Sequence, residues 1–268
     1  MRLLLTSDLH RDGTKLLWLL DKAPEHEALL VAGDLLDIFS NNGFTDQKSG
    51  ALRWKDSFLE SGKSFAWCSG NHDFFHGDDT PMSAASPFWM HERPSTKSFI
   101  TDGESRLLET ADGGIAVTTL PWPVHGGDLF VDGYRTSYLD FGKRLLHAGR
   151  KIKEEHCVPW IVLNHEPPGE TPLSATYAAP EADFSRRMIE AAKPDFSLHG
   201  HIHQAPTAKG GSWIWQVGET VSFNPGQSLP GEPLHYIFFK WRSPGDWTAV
   251  WNGAGQMLRA ESKRKDSL

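Results

Sequence analysis

The sequence predicts an α/β fold in which helices cover sheets. Short apolar runs at residues 3–6, 28–31, 64–68 and 160–163 alternate with segments of helical periodicity, the pattern of strand–helix units whose sheets are buried by helices. Polar clusters stand directly after those runs, at the carboxyl ends of strands, where sheets of this kind bind ligands.

In chain order, the strand at residues 3–6 leads into Ser7-Asp8-Leu9-His10, and Leu16, Leu17, Leu19 and Leu20 predict a helix stopped near Pro24. The strand at 28–31 ends at Gly33-Asp34, and residues 51–62 carry Leu52, Phe58 and Leu59 at helical spacing. A third strand, 64–68, runs into Gly70-Asn71-His72-Asp73, where Gly70 permits a sharp turn. Residues 74–98, with several Pro and no clean period, read as a long irregular loop, the kind that is functional or mobile.

Ile100, residues 106–109 and 115–120 then predict consecutive strands of a meander, followed by a second long loop at 121–133. Tyr138, Phe141, Leu145, Ala148 and Ile152 form a helical stripe whose late Lys151 and Lys153 suit the helix dipole. The strand at 160–163 ends in Asn164-His165-Glu166. A helix through Phe184, Met188, Ile189 and Ala192 is stopped by Pro194, and residues 196–198 run into His199-Gly200-His201-Ile202-His203. Strands at 213–215, 221–223, 236–239 and 249–251 follow, separated by Gly and Pro turns. One domain over residues 1–259 is expected, with 260–268 as a disordered, charged tail.

Bulk properties narrow the function. A chain of 268 residues can bury a large core, and 39% hydrophobic with 23% charged residues is ordinary for a globular protein. No segment approaches the ~20 apolar residues of a membrane span, and Leu3-Leu4-Leu5 is too short for a signal-peptide core. Two cysteines, Cys68 and Cys157, form no paired motif, so a cytoplasmic location and no membrane partner are expected. A net charge of -7 counts against a main role in gripping a phosphate backbone. The Trp residues, eleven in all, are expected to pack cores and sheets.

Five strand ends carry one chemical set: Asp8 and His10, Asp34, Asn71 and His72, His165, then His201 and His203. Carboxylate, imidazole and amide oxygen are ligands for divalent transition metals. The i, i+2 spacing of Asp8/His10 and of His201/His203 lets each pair leave one face of an extended segment. With no thiolate among them, they favour an open hydrolytic site over a structural zinc knuckle.

The ordered series Asp8-x-His10, Gly33-Asp34, Gly70-Asn71-His72-Asp73, His165 and Gly200-His201-x-His203, with weaker support from Asn224-Pro225-Gly226, resembles the calcineurin-like metallophosphoesterases over about residues 3–203. That resemblance implies a four-layer α/β/β/α sandwich of two mixed sheets flanked by helices, with a two-metal centre at the carboxyl ends of strands. By similarity, Asp8, His10 and His203 would hold one cation, Asn71, His165 and His201 the other, and Asp34 would bridge them. Two cations about 3.5–4 Å apart can bind a shared hydroxide and clamp a phosphoryl group for in-line attack. The resemblance also gives His72 a phosphate-facing catalytic role and makes Asp73 its orienting partner.

The expected function is metal-dependent hydrolysis of a small or medium phosphomonoester or phosphodiester. A nuclease acting on DNA or RNA is the second reading, and a non-catalytic scaffold of the same fold the third. The mixed N/O ligand set suits manganese, iron, zinc, nickel or cobalt, with manganese first in supporting activity. Asp37 is expected to be a cap or a support to the ligands, His199 to be structural, and Glu166, directly after His165, to support the ligands or to play no part in the site. His76, His91 and His125 are expected at the surface of loops, and Asn224-Pro225-Gly226 is a turn first.

Overall fold

The computed structural model describes residues 1–41, 43–74, 87–122, 132–174, 180–229 and 231–262, with the side chains of residues 88, 132–137 and 180–183 outside that description. His76, His125, residues 75–86 of the long loop expected at 74–98 and residues 123–131 of the one expected at 121–133 lie outside the described residues.

Two mixed sheets face each other. The first runs β13-β12-β11-β1-β2-β3-β4, where β1 is Arg2–Thr6, β2 Ala28–Ala32, β3 Ser64–Cys68, β4 Phe99–Ile100, β11 Tyr236–Ser243, β12 Asp246–Gly253 and β13 Gln256–Ser262. In it β1 to β4 are parallel, and β11 to β13 add an antiparallel wing. The second runs β5-β6-β7-β8-β10-β9, with β5 Ser105–Thr110, β6 Gly113–Leu120, β7 Trp160–Asn164, β8 Phe196–Leu198, β9 Ile214–Val217 and β10 Thr220–Phe223. Its inner strands β6, β7, β8 and β10 are parallel, and its edges β5 and β9 are antiparallel.

The alternation of side chains along each strand generates the layers. Leu3, Leu5, Leu30 and Ala66 of the first sheet meet Val117, Ile161, Leu163 and Phe223 of the second in a core between the sheets. The intervening residues Leu4, Leu29, Val31, Phe65 and Trp67 point the other way, onto Leu19 of helix α1 (Gly13–Lys22) and Trp54 and Phe58 of helix α2 (Phe44–Glu60). On the far side, Ala116, Trp160 and Val162 pack against Leu146 of helix α3 (Asp132–His156) and Met188 and Ile189 of helix α4 (Pro180–Ala192). The result is the four-layer α/β/β/α sandwich, in which burying one Leu or Phe side chain stabilises the fold by about 1.5–3 kcal/mol.

Three elements differ from the sequence reading. Helix α2 begins at Phe44 rather than at 51, because its first turns carry polar residues whose period is hidden, although Gln47 among them is buried. Strand β4 pairs with β3 (Phe65↔Phe99, Ala66↔Ile100), so it belongs to the first sheet, and the expected meander reduces to the antiparallel pair β5–β6. The tail expected from residue 260 is a correction: Ala260, Glu261 and Ser262 complete β13 and pair with Ala249, Thr248 and Trp247. Backbone pairing holds that edge strand while Arg259 and Glu261 form an exposed ion pair at 2.8 Å, so charge alone did not signal disorder. Residues 263–268 lie outside the described residues. Among the described residues no helix is long and apolar enough to cross a membrane.

Candidate metal centre

The five motif-bearing loops follow β1, β2, β3, β7 and β8, all parallel strands, so both sheets deliver their carboxyl ends to one place. The loops are tied to each other through the backbone. Asp8 N–H donates to Gly33 O at 3.1 Å, His10 N–H to Asp34 O at 2.9 Å, and Gly200 N–H to His165 O at 3.0 Å. Asp8, His10, Asp34 and His201 all have positive φ (54°, 43°, 52° and 64°). Such left-handed conformations cost of order 1 kcal/mol or more, and they cluster where a site needs its side chains aimed.

Side-chain geometry gathers the candidate ligands. His203 Nε2 lies 3.1 Å from Asp8 Oδ1, and His10 Nε2 lies 4.0 Å from the same oxygen and 3.8 Å from Asp34 Oδ2. Asn71 Oδ1 is 3.2 Å from His165 Nε2 and 2.9 Å from His201 Nδ1. Asp34 Oδ2 stands between the two groups, 3.1 Å from His165 Nε2. The carboxylates are held from behind: His72 N–H donates to Asp34 Oδ1 at 2.8 Å, and His201 N–H to Asp8 Oδ1 at 3.1 Å.

Whether these residues fit a cation is tested by His165. Its Nδ1 is 2.7 Å from Ala32 O, an acceptor, so the neutral ring keeps its proton there. Its Nε2 lone pair then faces Asp34 Oδ2 and Asn71 Oδ1, also acceptors. Lone pairs converging in a buried site repel unless a positive charge lies among them. A proton can serve: burial lowers the His165 pKa, but the charges of Asp34 and Asp8 overcome it and push it up to about 10. Asp34 shows the reciprocal effect, since burial raises its pKa but the His165 charge holds it down at about 2. Asp8 is lowered too, with burial opposing and the His203 hydrogen bond and the charges of His165, His203 and His10 prevailing. Burial and the His165 charge instead push His201 down to about 4, and burial lowers His10, leaving both as neutral lone-pair donors. Asp8 Oδ2 and His10 Nε2 are buried with no hydrogen-bond partner among the described residues. The donor set fits a divalent metal site.

His72 sits at the mouth. Its ring is edge-on to His10 with centroids 4.5 Å apart, and its Nδ1 accepts a hydrogen bond from Ile38 N–H at 3.3 Å. That places the neutral proton on Nε2. Asp73, expected to orient this ring, does something else, and this is a correction. Its Oδ1 accepts from Leu35 N–H and Leu36 N–H, both at 3.0 Å, and its Oδ2 from Gly70 N–H at 2.8 Å. Asp73 is therefore a fully buried tie between the loops after β2 and β3, with a pKa pushed up to about 8 by burial and the Asp34 charge. The carboxylate beside His72 is Asp37, at 3.6 Å from Nδ1.

The remaining candidates separate clearly. His199 is turned into the protein, its Nδ1 near Asn164 O and Glu166 O (2.9 and 3.0 Å) and its Nε2 near Ser197 Oγ, and burial lowers its pKa to about 4. Glu166 is buried with Oε2 3.8 Å from His201 Nε2, behind the ligand face. His91 is exposed on a short 3-10 turn. Two residues act as supports, a role the sequence reading did not give them. Trp122 packs its indole on His201 and His165, with centroids 5.0 and 5.4 Å apart. Asn224 is buried and directs its amide at Gly200 O, Ile202 O and Leu173 O, so the turn it starts braces the His201/His203 loop.

The sequence profile of the calcineurin-like phosphoesterases matches residues 1–205. No curated protein sequence matches the chain. Among solved structures, TT1561 of Thermus thermophilus is 14% identical, aligns over 98% of this chain and 99% of its own, and superposes with a TM-score of 0.51, which shows a shared fold. Yfce, a phosphoesterase from E. coli, is 13% identical over 98% of this chain and 100% of its own, with a TM-score of 0.43. Vps29 complexed with zinc, from Entamoeba histolytica, is 12% identical over 97% and 99%, with a TM-score of 0.42. Those two superpositions are too loose to bear on chemistry.

Proposed function

The chain belongs to the calcineurin-like phosphoesterase family, and from that premise we propose that it hydrolyses a phosphomonoester or phosphodiester with two divalent cations. The observation that carries the reading is the gathering of Asp8, His10, Asp34 and His203 within reach of one ion, with Asp8 Oδ2 and His10 Nε2 buried and without a hydrogen-bond partner among the described residues. Asp8, His10 and His203 would hold one cation, Asn71, His165 and His201 the other, with Asp34 reaching both. Bound there, the cations would supply an activated water and neutralise charge on the phosphoryl oxygens.

The protein's own groups do the rest. Asp34 brings negative charge where cation repulsion is worst, and its Oδ1 is fixed by the His72 N–H so that Oδ2 stays aimed at the site. His72, with its proton held on Nε2 by the Ile38 contact, would donate a hydrogen bond to the phosphoryl group. The net charge of -7 supports a small ester over a nucleic-acid strand.

The test is a screen of phosphomonoesters, cyclic nucleotides, other diesters and nucleic acids with the manganese-loaded protein, run beside His72→Ala. The expected result is turnover on a small ester, and a His72→Ala protein that binds metal normally by calorimetry but loses at least about 100-fold in kcat. An unchanged kcat in metal-replete His72→Ala removes His72 from the mechanism, and absence of metal binding removes the reading itself.

A further inference from the structure

Phe39 is 81% exposed, yet its position is strongly fixed. Its N–H donates to Asp37 Oδ1 at 2.9 Å and Ser40 N–H donates to Asp37 O at 3.2 Å, which closes a tight turn. The turn is pinned to helix α2 by the buried Gln47, whose Oε1 accepts from Asp37 N–H at 2.9 Å and whose Nε2 donates to Asp37 O at 3.0 Å. Ile38, between the two, is bonded to His72. The Phe39 ring thus stands edge-on to the His72 imidazole, centroids 5.3 Å apart at 75°. A large apolar ring carried on a pinned turn beside a phosphate-facing histidine is a contact surface whose backbone ordering cost has been met before any ligand arrives.

The cleft at this point has a volume of about 430 Å³, and its lining includes His10, His72, His203, Phe39, Lys15 and Gln227. That is within the range of small-ligand sites. The lining residues outside the histidines differ in chemistry. Lys15 is buried with Nζ donating to Ser228 O at 3.0 Å and standing 3.7 Å from Asp12 Oδ2, so its charge is already matched and it is not a free phosphate clamp. Gln227 is held by its N–H on His203 O at 3.1 Å, and its amide can both donate and accept. The lining therefore offers both an aromatic face, at Phe39, and a hydrogen-bonding amide, at Gln227.

We propose that the leaving group of the substrate carries a planar heteroaromatic ring, as in a nucleoside phosphoester, whose face stacks on Phe39 while its polar edge lies toward Gln227. The inference rests on the phosphoesterase reading and adds the substrate class to it. An aliphatic or sugar leaving group would cover less of the Phe39 face than a planar ring and gain less from the fixed turn.

The discriminating pair is adenosine 5′-monophosphate and ribose 5-phosphate, which present the same ester to the metals and differ by the base. With manganese-loaded protein, kcat/KM is expected to favour the nucleotide by about tenfold, the scale of one base–aromatic stack. In Phe39→Ala that ratio collapses to about one, through KM, and in Phe39→Trp it is kept. A ratio near one in the native protein, or a ratio that survives Phe39→Ala, overturns the proposal. If neither ester turns over, hydrolysis of these monoesters is excluded, and calorimetric dissociation constants for the same two ligands decide the role of Phe39. There a preference of about tenfold, lost in Phe39→Ala, supports stacking, and equal affinities overturn it.

Discussion

Replacing Asn224 by Ala should damage the metal centre without touching a single ligand. The amide carries two hydrogens and faces three carbonyls, Leu173 O and Gly200 O at 3.2 Å and Ile202 O at 3.4 Å, while its Oδ1 accepts from Gly226 N–H at 2.9 Å. After truncation Gly200 O still accepts from Ile202 N–H and Ile202 O from Ala205 N–H, so their loss is partial. Leu173 O and Gly226 N–H lose the partner Asn224 gave them, and a buried polar group left without a partner costs ~1–3 kcal/mol. The sum, about 3 kcal/mol, is large against the 5–15 kcal/mol by which a typical domain is stable.

Asn224→Asp sharpens the reasoning. It keeps the shape and the Oδ1 acceptor but turns an oxygen toward carbonyl oxygens and buries a charge, so it should be worse than Ala despite being isosteric. Urea unfolding of the metal-free proteins, followed by tryptophan fluorescence, measures the loss. Manganese titration calorimetry should show at least tenfold weaker binding, because the strap fixes the loop bearing His201 and His203. A loss below about 1 kcal/mol in Asn224→Ala, or an Asp variant more stable than the Ala variant, would refute the donor argument.

Burial beside Phe58 and Phe238 pushes the His26 pKa from 6.5 down to about 4. Above pH 6.5 both states are neutral and the contribution is complete. As pH falls from there toward 4 only the unfolded chain takes up the proton, so stability declines, by about 3 kcal/mol from this residue. His199 acts in the same direction. His26→Leu should flatten the urea-measured stability slope between pH 7 and 4, and equal slopes in both proteins would contradict the assignment. Gly70→Ala would place a Cβ 2.2 Å from Asp34 Oδ1 and 2.5 Å from Asp34 N, so Asp34 must move; unchanged manganese affinity in a folded Gly70→Ala protein would count against its position at the site. Adding a binding cation at 100 times its dissociation constant should stabilise the fold by about 2.7 kcal/mol, and a melting temperature unmoved by manganese, zinc, iron, nickel and cobalt alike would argue that no cation is held.

What the sequence could disclose follows from how local the information is. Asp8/His10 and His201/His203 were legible as residue types close together after a strand, but the extended segments expected to aim them are not there: Asp8, His10 and His201 have positive φ, and loop geometry aims them instead. The role of Asp73 was not legible. The residues Asn71–Asp73 form a 3-10 turn, where successive side chains diverge by about 120°. His72 therefore faces the cleft while Asp73 turns back onto the Leu35 and Leu36 amides, and only the neighbouring loop reveals Asp37 as the carboxylate beside His72. Charged residues concealed β13, and a pairing with β3 beyond a long loop concealed where β4 belongs.

The same cross-strand logic gives the glycine before Asn71 its reason. The parallel register sets Ala32 opposite Cys68, which carries Asp34 opposite Gly70, each two residues farther on. The carboxylate that must stand between two groups of histidines therefore passes across the backbone at 70, and any side chain there would occupy its place. Gly33, with φ of +80°, meets the same condition from the other sheet, since a Cβ on it would lie 2.4 Å from His165 Nδ1. The two glycines that look like turn formers in the sequence are thus the positions where β2, β3 and β7 come close enough to share one site.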